Sequence, residues 1–214
     1  MMTDCSPEKI AERIIDEFKR IHTRKDPFQV LICTILSQRT RDENTDTACE
    51  NLFTIYDSPE KLARASTERV EELIKPSGMF RQKARRIMEV ARIILEKYGG
   101  KVPDEMEKLL KLPGVGRKTA NIVLSIAFNK QVIAVDTHVH RVSNRLGWVQ
   151  TRTPYETEKE LYKIIPRNLW KDLNGAMVEF GRQICKPINP RCRECPVHRC
   201  CDYFSSPAIE RRKT

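Results

Sequence analysis

The spacing of apolar residues constrains the fold of this chain more than any other feature. Near the start, Ile10, Ile14 and Phe18 recur at helical intervals, and similar spacing continues through most of the 214 residues. No segment alternates apolar and polar residues in the way that a half-buried strand does. The sequence therefore predicts an all-α protein of about ten helices, with the last long one at 170–184.

Signals for helix starts support this prediction. Ser6 and Ser58 each precede a proline, which suits the first turn of a helix, and a serine side chain can cap that start. Two pairs have the spacing of a capping box: Thr153 with Glu156, and Asp104 with Glu107.

The charge of the chain points toward a polyanionic partner. The chain has 39 lysines and arginines against 29 aspartates and glutamates, a formal net charge of +10. This excess favours nucleic acid, although a solvated basic surface explains it equally from charge alone. No apolar run approaches the ~18 residues of a membrane span, and the first ten residues lack a secretory signal. We expect an intracellular protein with no membrane association.

A glycine-containing turn at 112–120 reads Leu-Pro-Gly-Val-Gly-Arg-Lys-Thr-Ala and lies between two helical patterns. Gly114 and Gly116 allow a tight turn, and the following helix directs amide groups and its positive dipole end outward. Such a helix start can seat an anion, for example a DNA phosphate. A tight turn between helices with no ligand is the alternative from local sequence.

Two residues near this turn are candidates for catalysis. Lys118 lies in the first turn of the second helix, where the dipole and Arg117 disfavour the ammonium form, and a neutral amine is a nucleophile. Asp136, within Val-Asp-Thr-His at 135–138, begins the next helix. A helix-capping role would by itself explain an aspartate at this position. A catalytic role for Asp136 is suggested only because a candidate lysine lies nearby in the sequence.

Five of the eight cysteines lie between Cys185 and Cys201, which indicates local metal binding. The spacing alone suits either tetrahedral zinc or an iron–sulfur cluster. The three distant cysteines are interpreted as small core residues: Cys5, Cys33 and Cys49. Basic neighbours are expected to favour the thiolate form in the array: Lys186, Arg191, Arg193 and Arg199.

In this order, the 112–120 turn, the string at 135–138 and the cysteine array resemble the helix-hairpin-helix DNA glycosylase superfamily and, within it, the endonuclease III family. The likeness covers almost the whole chain. It implies a two-lobed all-α fold with the DNA cleft between the lobes. A six-helix barrel at 22–132 would end in the hairpin. Residues 1–21 and 133–214 would form the second lobe, with a cluster loop at 185–201.

The resemblance also implies an activity. The family removes oxidised pyrimidines of the thymine glycol type from double-stranded DNA and cuts the strand at the abasic site by β-elimination. Lys118 matches the lysine that attacks C1′ and forms a Schiff base, and Asp136 matches the catalytic aspartate. The alternatives are a mismatch glycosylase of the same superfamily, removing uracil, thymine or adenine, and a non-catalytic DNA-binding module. We expect the protein to act as a monomer.

Base removal requires the nucleotide to leave the duplex, and side chains then fill the gap. By resemblance Met79, beside Phe80, is one such wedge. The other is commonly glutamine, but its position falls on Arg39 with Gln38 beside it, and which of the two inserts stays open. The resemblance implies further DNA contacts at the following residues: Gly114, Gly116, Arg117, Thr119 and His138.

The cysteine array corresponds to the [4Fe–4S] loop of the family. The resemblance assigns the ligands as Cys185, Cys192, Cys195 and Cys201. Cys200 is then a bystander or a substitute ligand. The loop is expected to have a structural role and to place basic side chains on the DNA backbone.

Overall fold

The computed structural model describes residues 4–20, 23 and 25–206, and over these residues the chain is helical with no strand. The prediction of an all-α fold is confirmed. No helix in this part of the chain is long and apolar enough to cross a membrane. The α-helices are α1 (Pro7–Glu17), α2 (Pro27–Leu36), α3 (Asp42–Phe53), α4 (Pro59–Ala63), α5 (Thr67–Leu73), α6 (Phe80–Tyr98), α7 (Met106–Leu109), α8 (Arg117–Ile126), α9 (Thr137–Leu146), α10 (Pro154–Ile164), α11 (Trp170–Gln183) and α12 (Asp202–Ser205). Short 3₁₀ turns lie at Lys75–Ser77, Arg167–Leu169, Cys192–Glu194 and His198–Cys200.

Most of the expected helix caps form. Ser6 and Ser58 each accept a hydrogen bond from the backbone amide three residues later, at 3.4 and 3.3 Å. Thr153 and Glu156 form a complete capping box at the start of α10, because each side chain accepts from the other residue's backbone amide. These local contacts explain why the starts of α1, α4 and α10 could be recognised in the sequence.

The capping box expected at Asp104 and Glu107 does not form. Helix α7 begins at Met106, and no side chain caps it. The Asp104 carboxylate instead lies 2.8 Å from Nζ of Lys130, a residue 26 positions away. The local spacing of Asp104 predicts a cap at the helix start, but its carboxylate pairs with the distant Lys130 instead.

The chain folds into two compact units. One, the continuous unit, is His22–Lys130, and the other, the discontinuous unit, joins Met1–Ile21 to Gln131–Thr214. The sequence predicts the end of the first lobe at 132, and the continuous unit ends at Lys130. The expected barrel shape of the first lobe stays a prediction.

Each unit has its own apolar core. In the continuous unit the longest helix, α6, buries one face built from Ala84, Ile87, Ala91 and Ile94. In the discontinuous unit, α1, α9 and α11 enclose a core in which the ring of Phe18 packs edge-on against that of Phe180 at 5.2 Å. These faces account for the helical spacing of apolar residues in the sequence.

Four cysteines form two disulfides, which the interpretation of Cys5, Cys33 and Cys49 as small core residues did not include. Of these three, Cys49 is buried in the core, Cys33 is half-buried and Cys5 is exposed, so the interpretation is right for Cys49 only. Cys33 on α2 is joined to Cys49 on α3, with Cα atoms 5.9 Å apart. Cys5 is joined to Cys200 at a Cα separation of 5.3 Å, so Cys200 is neither a bystander nor a spare ligand. The partners lie on different elements, 16 and 195 residues apart, so helical periodicity cannot reveal them.

Candidate functional site

The turn at 112–120 connects α7 to α8 and is anchored by Leu112 and Val115, which are buried. Gly114 has φ +76°, and a Cβ there would collide with the side chain of Arg86. The positive φ favours glycine at 114, and a Cβ there would also displace the flexible side chain of Arg86. Gly116 has an extended conformation, and a Cβ added to it would meet nothing within 4 Å. The expectation that both glycines serve the tight turn is right for Gly114 only.

Gly116 is the N-cap of α8, and no side chain caps this helix. The first turn carries Arg117, which is exposed, and Lys118, which is half-buried. Thr119 is only 5% exposed, so its side chain belongs to the core and only its backbone amide is placed to contact a ligand. A helix start without a side-chain cap is the arrangement that lets an anion bind there.

The turn after α2 separates the roles of its two wedge candidates. The Gln38 side-chain amide donates to the carbonyl oxygen of Gly114 at 2.9 Å, and its oxygen accepts from Arg86 at 3.3 Å. Gln38 is thus tied to the hairpin. Arg39 is exposed and has φ 55°, in the left-handed region that non-glycine residues seldom adopt.

The second wedge candidate lies at the start of α6. Met79 is 50% exposed and has φ 46°, directly after Gly78 with φ 63°. Phe80 is half-buried, and the Arg81 guanidinium lies 5.6 Å from the centre of its ring. Of the two neighbours, Met79 is therefore the one that protrudes.

Sequence reasoning missed Lys83, which is 2% exposed on the apolar face of α6. Its Nζ donates at 2.7 Å to the carbonyl oxygens of Leu36 and Ser77 and to the hydroxyl of Thr40. Burial lowers the pKa of Lys83 to about 8, and the nearby charge of Arg86 contributes to the same shift. Its spacing of four from Ile87 was the signal that could have found it.

In the discontinuous unit, Asp136 is the N-cap of α9. One carboxylate oxygen, Oδ1, accepts from the backbone amides of His138 and Val139 at 2.9 and 3.0 Å. The capping role that local sequence suggested is therefore present. Because both bonds go to the same oxygen, the cap does not use Oδ2, and capping is compatible with a second role for Asp136.

His138 packs inside the discontinuous unit. Its Nδ1 lies 3.2 Å from Nη2 of Arg141, and a Cβ added to Gly181 would come within 2.7 Å of the same nitrogen. Burial lowers the pKa of His138, which favours the neutral ring. A contact between His138 and DNA stays a prediction.

The four cysteines outside the disulfides are the four that the resemblance named. Cys185, Cys192, Cys195 and Cys201 line one cavity, with apolar walls that include Phe180. As their side chains stand, no three His, Cys, Asp or Glu residues in the described ranges form a metal-binding group. The Cys201 thiol, for example, donates to the carbonyl oxygen of Arg145.

For three of these sulfurs, burial opposes the thiolate form that the basic neighbours are expected to favour. Burial raises the pKa of Cys195 to about 12 and also raises the pKa values of Cys192 and Cys201. Thiolates that face one another raise these values further, and Arg145 opposes the effect only at Cys192. Four thiolates in this cavity therefore require a cation among them.

The candidate residues fall into both units. Lys118, Arg39 and Met79 belong to the continuous unit, whereas Asp136 and the four free cysteines belong to the discontinuous unit.

Comparisons with known proteins show which family the chain belongs to. Residues 32–167 match the family described as HhH-GPD superfamily base excision DNA repair protein. Endonuclease III of Thermotoga maritima is 60% identical over 197 residues, which cover 92% of each chain. A non-covalent endonuclease III–DNA complex has a TM-score of 0.87 and 36% identity, with 96% of each chain covered. A trapped endonuclease III–DNA covalent intermediate has a TM-score of 0.85 and 37% identity, with 95% of each chain covered. The chain belongs to the HhH-GPD superfamily of base excision DNA repair proteins and, within it, to the endonuclease III family of DNA glycosylases and abasic-site lyases.

Proposed function

We propose that this protein removes oxidised pyrimidines of the thymine glycol type from double-stranded DNA and then cleaves the abasic site, with Lys118 as the nucleophile. The observation that carries the proposal is the position of Lys118 in the first turn of α8, at a helix start that no side chain caps. The positive end of this helix attracts a DNA phosphate and disfavours the ammonium form of the lysine. The first effect brings the amine of Lys118 close to the DNA backbone, and the second favours its reactive, neutral form.

The chemistry then needs the amine, a carboxylate, the sugar and one water molecule, which hydrolyses the final imine and frees the lysine. The neutral Nζ of Lys118 forms a bond to C1′, and the bond from C1′ to the base breaks, so the base leaves with the electron pair. The new C–N bond becomes an imine as the sugar ring opens. Loss of a C2′ proton then expels the 3′ oxygen, which cuts the strand on the 3′ side. The trapped covalent intermediate of a related endonuclease III supports a covalent route.

We assign two tasks to Asp136 in this reaction. A carboxylate can accept the proton that the attacking amine loses, and its negative charge can stabilise positive charge that develops on the sugar. The hydrogen bonds that Oδ1 accepts from two backbone amides hold the carboxylate in one orientation.

We assign the two wedges to Met79 and Arg39. Met79 is an exposed apolar side chain on a turn, as an inserted wedge requires. Arg39 is exposed, whereas the neighbouring Gln38 is held by Gly114 and Arg86. A guanidinium can stack on the unpaired base or donate hydrogen bonds to it. Arginine in place of the usual glutamine is expected to change the preference for the opposite base.

We propose that Cys185, Cys192, Cys195 and Cys201 hold a [4Fe–4S] cluster. Their chemistry fits the group, because four thiols line one cavity and the remaining cysteines are paired with each other. Such a cluster supplies the positive charge that four thiolates need and fixes the fold of the loop. The base-removal steps above do not use it.

Replacing Cys192 with serine is expected to remove this metal site. The purified wild-type protein should contain about four irons per chain, and the variant should contain far less and unfold at a lower temperature. Metal analysis and thermal melting test this. Cys200→Ser is the control for iron content, because it changes a cysteine of the same loop that we place outside the ligand set, and it should keep its iron. It also breaks the disulfide to Cys5, so it is compared by metal analysis and not by melting. Zinc in place of iron, or full iron in the Cys192 variant, would contradict the assignment.

The proposed substrate is tested with three duplexes: one with a single thymine glycol, one with a mismatched uracil and one undamaged. We expect a strand cut at thymine glycol and no cut in the undamaged duplex. Activity restricted to the mismatch would replace the oxidised-pyrimidine assignment with that of a mismatch glycosylase. We also propose that the protein works inside the cell as a monomer.

A further inference from the structure

Two exposed residues, Arg39 and Met79, share an unusual backbone conformation. Both have positive φ, at 55° and 46°, although neither is glycine. A side chain in this region is strained, and the conformation persists only where the surrounding structure imposes it. Something must therefore hold the turn after α2 and the turn before α6 in place.

The side chain of Lys83 contacts both turns through hydrogen bonds from its Nζ. Its Nζ donates to the carbonyl oxygen of Leu36, at the end of α2, and to the hydroxyl of Thr40, the residue after Arg39. The third bond goes to the carbonyl oxygen of Ser77, two residues before Met79. The Thr40 hydroxyl also donates to the Ser77 carbonyl, so the two turns are joined directly as well.

A lysine is a costly residue for this position. At 2% exposure its ammonium has lost water almost completely, and burial lowers its pKa. An apolar residue of similar length would fill the same space without that cost. It would, however, leave the acceptors at Leu36 and Ser77 without the donor that joins them. The three donors of an ammonium match the three acceptors present.

We propose that Lys83 is a positioning residue that holds the turns of Arg39 and Met79 in the shape needed to enter DNA. The inference rests on the proposed function, in which these two side chains fill the gap left by the flipped nucleotide. Lys83 itself is buried and does not touch DNA. Its effect should therefore appear only where a base has to be unstacked and replaced, and not in the chemistry of the sugar.

The test compares two substrates for the Lys83→Met variant. A duplex with thymine glycol requires a base to be flipped out, whereas a duplex with an abasic site has no base to unstack there. Single-turnover excision of thymine glycol is expected to fall by about tenfold or more, and cleavage of the abasic duplex by less than about threefold. Lys97→Met, an exposed lysine on the same helix, is the matched control and should change neither rate.

A fluorescent base provides a signal that a general loss of protein stability would not change. With 2-aminopurine opposite the lesion, wedge insertion by the wild-type protein should change the fluorescence on binding, and the Lys83→Met variant should show a smaller change at saturating protein. Equal losses on both substrates, or no loss on either, would overturn the proposal. If circular dichroism shows that Lys83→Met does not fold, Thr40→Val replaces it, with the same selective pattern expected and the same two contrary outcomes.

Met79→Ala and Arg39→Ala separate a failure of this inference from a failure of the proposed function. Both should show the selective loss on thymine glycol if these side chains are wedges. If they do and Lys83→Met does not, the positioning role is wrong and the wedge assignment stands. If neither does while the wild-type protein is active on both substrates, the wedge assignment is wrong and the positioning role falls with it.

Discussion

Replacing Lys118 with glutamine is expected to reduce both excision of thymine glycol and cleavage of the abasic site by at least about a thousandfold. Glutamine keeps much of the side-chain length and can still donate a hydrogen bond, but it has no amine to attack C1′. Binding to the duplex should weaken only severalfold, because one positive charge is lost from a phosphate-binding surface. Single-turnover gels and fluorescence anisotropy measure the two quantities separately.

Lys111→Gln is the matched control for the loss of charge. Lys111 is an exposed lysine of the same hairpin and has no role in the proposed chemistry. The control should lose a little affinity and retain its rates at saturating protein. Strand cleavage by Lys118→Gln at close to the wild-type rate would show that another group is the nucleophile.

Asp136→Asn is expected to lower the excision rate by about a hundredfold or more while leaving stability nearly unchanged. Asparagine caps a helix about as well as aspartate, so the bonds from the amides of His138 and Val139 can be kept. What is lost is the negative charge that accepts a proton and stabilises the sugar. Single-turnover excision and thermal melting on the same preparation distinguish the two effects.

The control for this substitution is Asp26→Asn. Asp26 is the N-cap of α2 and accepts from the backbone amide of Gln29 at 2.9 Å, so the same chemical change is made at a cap with no proposed catalytic role. It should leave excision at the wild-type rate. If Asp136→Asn behaves like Asp26→Asn, then Asp136 is a helix cap and nothing more.

Local features of the fold could be predicted from the sequence because their partners lie within one helical turn. The serine caps at 6 and 58 and the box at Thr153 depend on residues three positions apart, and all formed as expected. Asp104 shows the limit of this reasoning. Its spacing to Glu107 suits a capping box, but its carboxylate lies 2.8 Å from Nζ of a lysine 26 residues away.

The same difference between local and distant partners applies to the candidate site. Lys118 and Asp136 could be singled out in the sequence because each lies at a helix start, inside a short motif that resembles the family. The choice between Gln38 and Arg39 depended on a bond across 76 residues, and the buried role of Lys83 depended on carbonyl oxygens of two distant turns. The backbone conformation of Arg39 and Met79 could not be predicted either, because a positive φ at a non-glycine residue has no dependable signature in sequence.

Borohydride trapping tests the central claim, that Lys118 forms a Schiff base during removal of an oxidised pyrimidine. Reduction of the imine on a thymine glycol duplex should yield a stable cross-link between protein and DNA, and peptide mapping should place it at Lys118. The same cross-link should form on an abasic duplex and be absent with Lys118→Gln on either one. A cross-link mapped to another residue, or excision of thymine glycol by the wild-type protein with no cross-link at all, would contradict the account.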